Sequence, residues 1–368
     1  MSSVSFHGPA TALGVKAHVL YSQLLKADEY WALLDLNSTA EIAAFLKHTE
    51  GYKDRLETLI PEKAHRVALE NALRSSVLRE AETFLFYLQG APRKFFIDWL
   101  SWYEAEHLKS VFRWLRSKRA DRDSLREHLF HVPGSQLPYE TLLNCRNYNE
   151  LLEALNGTKY YSVLREPVRR IMNGESALFQ LELAIDNLVE TALYNDIKSL
   201  PTKERTVLAP LFGSRVDLLN LYNLHRCAWY YKMTVEETIT RMLPVRYKVK
   251  THHMREMARD LMPQEERLRM LETLFPVYGK IFRDALERDD KELALEMSIK
   301  RFNYLKALAI LRSGVPGFHT AIAYFILKDH EISDIIRMIE DVRYDYDRRS
   351  AAQYLIRPIL TGGETAWQ

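Results

Sequence analysis

The sequence predicts an all-α chain built from three similar helical modules, and three observations carry that prediction. The 368 residues include only 13 glycines and 13 prolines, so regular structure has few places to turn or break. Apolar residues recur at intervals of three, four and seven over long stretches, the spacing that gathers one face of an α-helix. Segments of the chain also match one another at offsets of 109 and of 113 to 114 residues, which is how a repeated structural unit announces itself. The length exceeds what one compact core usually serves, and 47% apolar with 27% charged residues excludes disordered and collagen-like chains.

Taken in order, Leu69, Leu73, Val77, Phe84 and Leu88 form a stripe within residues 64–89, with Arg66, Glu70, Arg74 and Arg79 on other faces. Gly90-Ala-Pro92 closes this helix. Leu178, Leu181, Ile185, Leu188 and Ala192 repeat the pattern behind Gly174. A third stripe of Ile281, Ala285, Leu286, Leu293, Met297, Leu305 and Leu308 runs up to Gly314-Val-Pro316. Each long helix is expected to be followed by a further helical segment. Only residues 245–249 carry the short alternation of a strand.

The repeat orders these pieces. Sliding residues 33–52 onto 142–161 pairs Leu33 with Leu142, Leu34 with Leu143, Glu41 with Glu150, Leu46 with Leu155, Thr49 with Thr158 and Tyr52 with Tyr161. A third copy, residues 266–278, keeps the Glu, Leu271 and a Tyr but slips in register. The second offset superposes Glu104, Asp217 and Glu331, then His107, Asn220 and Asp334, then Arg113, Arg226 and Glu340. Between them Leu108 and Val111, Leu221 and Leu224, and Ile335 and Met338 share one helical stripe, which leaves the acid and the polar residue to a neighbouring face. Modules at 1–126, 127–238 and 239–368 follow. Equal modules pack in equivalent ways, either closed into a pseudo-threefold ring or funnel or open as a curved solenoid.

Fifty-one Lys and Arg against 49 Asp and Glu leave a net charge of +2, no global field for a polyanion or an acidic membrane surface. Cys145 and Cys227 lie outside any C-x-x-C pair and read as buried, inert thiols of a reducing compartment. No basic leader precedes an apolar run, and the longest apolar stretch, residues 320–327, is far below the ~20 residues of a membrane span. The expectation is a chain neither secreted nor membrane-spanning.

Catalytic fingerprints fail on specific residues. Gly279-Lys280 is followed by Ile281, with Leu274 where a phosphate loop begins with glycine, and His330-Glu331 lacks a second His at i+4. His128 with His131, and His252 with His253, offer no third ligand at short range, so a metal-dependent hydrolase has no further support. No cofactor or metal is expected. A local basic run of Lys109, Arg113, Arg116, Lys118, Arg119, Arg122 and Arg126 is accounted for as a solvated helix end, and nucleic acid is not expected. The aromatic cluster Phe95, Phe96, Trp99, Trp102 and Tyr103 reads as core.

With its thrice-repeated acid-x-x-polar-Leu/Ile pattern, above all Val216-Asp217-Leu-Leu-Asn220-Leu-Tyr-Asn-Leu-His-Arg226, the chain resembles the C subunit of the A/V-type rotary ATPases, which is similar to the d subunit of eukaryotic vacuolar ATPases. The likeness spans nearly the whole chain, while His107 and Asp334 depart from the Asn that the pattern favours. The resemblance implies a funnel of three helical modules on the cytoplasmic face of the membrane. It further implies a non-catalytic rotor socket that joins the central shaft (the D subunit, with F) to the proteolipid ring and passes torque during proton or sodium transport. On that reading Glu104, His107, Arg113, Asp217, Asn220, Arg226, Glu331 and Asp334 form polar patches facing the partner, and alanine at Asp217 and Asn220 weakens shaft binding. The competing reading is a helical-repeat scaffold for RNA or a regulatory protein.

Overall fold

A computed structural model describes residues 7–117, 122–175, 178–259, 262–343 and 351–359. Seventeen α-helices and no strand occur among the described residues, so the all-α expectation holds. The first are α1 (His7–Ser22), α2 (Ala27–Leu34), α3 (Thr39–His48) and the long pair α4 (Arg66–Leu85) and α5 (Gly90–Ser117). Next come α6 (Arg122–His128), α7 (Tyr139–Asn144), α8 (Tyr148–Ala154) and α9 (Tyr161–Met172), then the long pair α10 (Leu178–Asp196) and α11 (Thr202–Leu224). The last are α12 (Val235–Thr240), α13 (Thr251–Met257), α14 (Gln264–Leu274) and α15 (Pro276–Leu286), then the long pair α16 (Lys291–Arg312) and α17 (Phe318–Arg343). Short helices followed by two long ones thus recur three times along the chain.

The repeat matches have a local physical cause. Ser38 caps α3 by accepting from the Glu41 amide at 3.1 Å, and Glu41 returns a carboxylate to the Asn37 amide at 2.8 Å. Asn147 caps α8 in the same way, 3.0 Å from the Glu150 amide, with the Glu150 carboxylate 2.8 Å from the Arg146 amide. These reciprocal bonds satisfy amides that the first turn leaves open. In the third copy Pro263 stands at the cap of α14 and offers no side-chain acceptor, so this cap is not made there.

One expectation is corrected. The third stripe is not one helix: α15 ends at Leu286 and α16 starts at Lys291. Arg288 forks onto the Asp290 carboxylate at 2.8 and 3.0 Å to hold the intervening turn. The stripe therefore mixes two registers, and its Leu293 and Leu305 are exposed. Residues 245–249, the one stretch with strand-like alternation, form a loop in keeping with the all-α reading, because the amides of 247–249 turn toward a side chain instead of a neighbouring strand.

The chain divides into two compact units, one of residues 1–77, 206–242 and 246–368, the other of residues 78–205 and 243–245. In the second unit α5 packs along α10. Leu108, Val111 and Phe112 meet Leu151, Leu155, Leu164, Leu181 and Ile185 in its core. Lys109 and Arg113 reach Asp186 at 2.5 Å and Glu182 at 2.8 Å along the flank of that helix pair. In the first unit α17 lies between α1 and α16. A Cβ at Gly14 of α1 would overlap the Gly317 nitrogen, so only glycine permits that approach. Leu221, Leu224, Met254, Leu271, Phe282 and Leu295 share a separate core in that unit. The predicted stripe of Leu108, Val111, Leu221, Leu224, Ile335 and Met338 is buried throughout.

Candidate functional site: three buried acid clusters

The repeated acids lie on the second long helix of each copy, and each is buried. Asp217 on α11 has no exposed surface. Its carboxylate accepts from the backbone amides of Tyr247 (3.3 Å), Lys248 (2.9 Å) and Val249 (3.2 Å) and from the Tyr278 hydroxyl (3.3 Å). One turn earlier Gly213 makes room for the Tyr247 ring, which would lie 2.5 Å from a Cβ at that position. Burial raises the Asp217 pKa while the three amides pull it back.

Glu331 on α17 is 2% exposed and accepts from the Leu25 amide and the Tyr52 hydroxyl, both at 2.7 Å, and from Lys328 Nζ at 3.0 Å. Lys328 is fully buried and stands 3.6 Å over the Tyr52 ring, so carboxylate and aromatic face together stabilise its charge. Burial first, then the Glu331 charge, pushes the Tyr52 hydroxyl well above its ordinary pKa and keeps it a donor. One turn on, Asp334 accepts from the amides of Ile356 (2.6 Å) and Arg357 (3.0 Å).

In the other unit Glu104 on α5 accepts from the Tyr160 hydroxyl at 2.7 Å and pairs with Lys159 at 3.1 Å. Burial, reinforced by the Glu104 charge, raises the Tyr160 pKa strongly. Each acid therefore takes a hydrogen bond from a buried or nearly buried tyrosine carried by the short-helix region of a copy. Tyr160 rather than its neighbour Tyr161 makes this bond, and the worn third copy retains its donor as Tyr278.

The remaining sequence-selected residues separate by exposure. His107 is buried with its ring edge-on to Phe130 at 4.5 Å and Tyr139 at 5.7 Å, and Asn220 and Asp334 have no exposed surface. Arg113 is exposed and bound to Glu182, while half-buried Arg226 lies 5.7 Å over the Tyr222 ring. Of the basic run, Lys109 and Arg113 are engaged by Asp186 and Glu182, and Arg126 by Glu140 at 3.5 Å; Lys118 and Arg119 lie outside the described residues. Phe95, Phe96, Trp99 and Tyr103 are core, as expected. Cys145 and Cys227 are buried and free, with burial raising both thiols, which makes them poor nucleophiles.

No group of three or more His, Cys, Asp or Glu placed to hold a metal occurs among the described residues. No helix among them is long and apolar enough to cross a membrane. Sequence reasoning found the acids but not Tyr52, Tyr160 and Tyr278 as their donors, nor Lys159 and Lys328. Separations of 56 and 61 residues from acid to tyrosine in two copies were the available signal, and the third donor lies 279 residues upstream of its acid.

The sequence profile of the ATP synthase (C/AC39) subunit family matches residues 13–354, nearly the whole chain. The chain belongs to the ATP synthase (C/AC39) subunit family. That family is a non-catalytic part of the synthase, so the buried acids of this C/AC39 chain have no reaction to serve. The A-type ATP synthase C subunit of Methanosarcina mazei is 23% identical over 211 residues, 57% of this chain and 56% of that protein, so this alignment spans just over half of each. The A-type C subunits of Thermococcus onnurineus (21% identical; 90% of this chain, 87% of that protein) and Thermococcus gammatolerans (22%; 90% and 85%) align over most of their length. The same family is the one that the acid-x-x-polar pattern resembles.

Proposed function

We propose that this chain is the rotor socket of an A-type ATP synthase. It links the central shaft, made of the D and F subunits, to the membrane proteolipid ring on the cytoplasmic face, and passes torque between them during ion transport coupled to ATP synthesis or hydrolysis. The observation that carries this reading is the family match over residues 13–354. Physical support comes from the clusters: a torque-bearing part needs helices that do not slide, and buried acid–tyrosine bonds hold each second long helix to a short-helix region. The three modules, 1–126, 127–238 and 239–368, enclose the shaft as a pseudo-threefold funnel. Glu104, His107, Asp217, Asn220, Glu331 and Asp334 shape its wall from within, and Arg113 and Arg226 reach the partner directly.

The deciding experiment is affinity purification of the tagged protein from gently solubilised membranes of its own host, with mass spectrometry of what is retained. Recovery of nucleotide-binding subunits, shaft and proteolipid together is the expected result. Recovery with unrelated soluble proteins or RNA and no proteolipid would overturn the socket.

A further inference from the structure

Helix α11 ends irregularly. After Leu224 the backbone widens into a π-helical turn, His225–Tyr230, and then passes through Lys232 at φ 54, the sole non-glycine residue with positive φ among the described residues. Both conformations cost free energy relative to a regular helix end, and both recur where a protein has to aim side chains outward. Here the aimed groups are Tyr230 and Tyr231, 64% and 55% exposed, their rings 5.0 Å apart and nearly perpendicular.

Tyr230 borders an open cleft of about 560 Å³ that also takes in Trp229, Asp289, Asp290, Glu292 and Leu293. Three carboxylates face one ammonium, that of Lys291. Burial lowers the His225 pKa against the pull of Glu292, whose carboxylate lies 2.8 Å from the His225 Nε2. Arg288 already engages Asp290, whereas Asp289 is exposed at the rim. Glu292 lies in the first turn of α16 and Asp290 stands at its N-cap without a side-chain cap bond, and with Asp289 these carboxylates set negative charge beside an aromatic ring. An anion is repelled there and a plain apolar group leaves the Asp289 carboxylate unanswered. A guanidinium or ammonium on an apolar stem satisfies ring, carboxylate and Leu293 together.

We propose that this cleft docks a basic segment of a neighbouring subunit, with an arginine or lysine seated between the Tyr230 ring and the Asp289 carboxylate. The inference rests on the proposed place of the chain in the synthase. Its test uses the intact complex carrying Tyr230→p-benzoylphenylalanine, irradiated and analysed by mass spectrometry for the cross-linked peptide. A peptide of another subunit with Arg or Lys within about one helical turn of the cross-link is the expected result. In parallel Asp289→Lys should weaken retention of the complex about tenfold at low salt, Asp289→Asn less, and added salt should shrink the difference. Both positions are exposed, so the melting temperature should not move. Cross-links to lipid, to a second copy of this chain, to a peptide without a basic residue or to nothing, or full retention by Asp289→Lys, overturn the docking while the socket stands. Failure of the wild-type chain to recover the synthase at all overturns both.

Discussion

Asp217 illustrates how one residue decides the stability of a whole copy. Three backbone amides and a phenol point at its carboxylate, and removing it strands four donors in a water-poor site. Asp217→Ala should cost about 3 kcal/mol or more in a urea titration, and the double change with Asn220→Ala should unfold the region before any binding is read. Tyr160→Phe leaves Glu104 its lysine and should cost only about 1 kcal/mol. Asp334 gives a pH signature. Burial pushes its pKa to about 7, above its unfolded value, so the stability it contributes is complete below about 4 and is lost as the pH rises through about 7. Stability of Asp334→Asn, measured from pH 4 to 8, should lack that decline; an unchanged slope would refute the assignment. The acids themselves were legible from their repetition, but their surroundings were not. A helical wheel separates faces without saying what covers them, and the amides that engage Asp217 belong to residues 247–249, whose side chains carry no trace of the bond. The Tyr52 match fell on Tyr161 because two adjacent tyrosines present the same letter to an alignment, and only the fold separates them.

At the scale of elements, the period of apolar residues predicted α4 and α10 and the stripes of α5, α11 and α17, because the apolar positions of each are buried. Its failure at α15 and α16 is equally physical. Glu287, Arg288, Asp289 and Asp290 make a turn with neither Gly nor Pro, and an Arg–Asp fork supplies what those residues usually provide. Residues 245–249 carry a strand-like alternation in sequence, while the amides of 247–249 give their hydrogen bonds to a carboxylate. Gly213 is where helix and loop meet closely. Gly213→Ala should drive the Tyr247 ring off α11, lengthen the amide bonds to Asp217 and lower the melting temperature, at a cost of about 2 kcal/mol. Alanine normally favours a helix over glycine, so a variant as stable as the parent would show that the ring yields freely.

For the whole molecule, the threefold recurrence of element order was legible from two sequence offsets alone. What no offset reveals is that Glu331, near the end of the chain, is served by Leu25 and Tyr52, near its beginning, over separations of 306 and 279 residues. Replacing Tyr52 with Phe and the Leu25 contact with proline at that position should loosen α2 and α3 specifically, visible as faster amide exchange there than in α8 and α9. The same closure has a temporal side. A ribosome releases α3 long before it has made α17, so the apolar face of α3 and the Tyr52 ring spend most of synthesis without the helix they will meet. At elongation rates of about 5–20 residues per second, that delay lasts on the order of tens of seconds. Until the last long helix emerges, that early segment stays open to water.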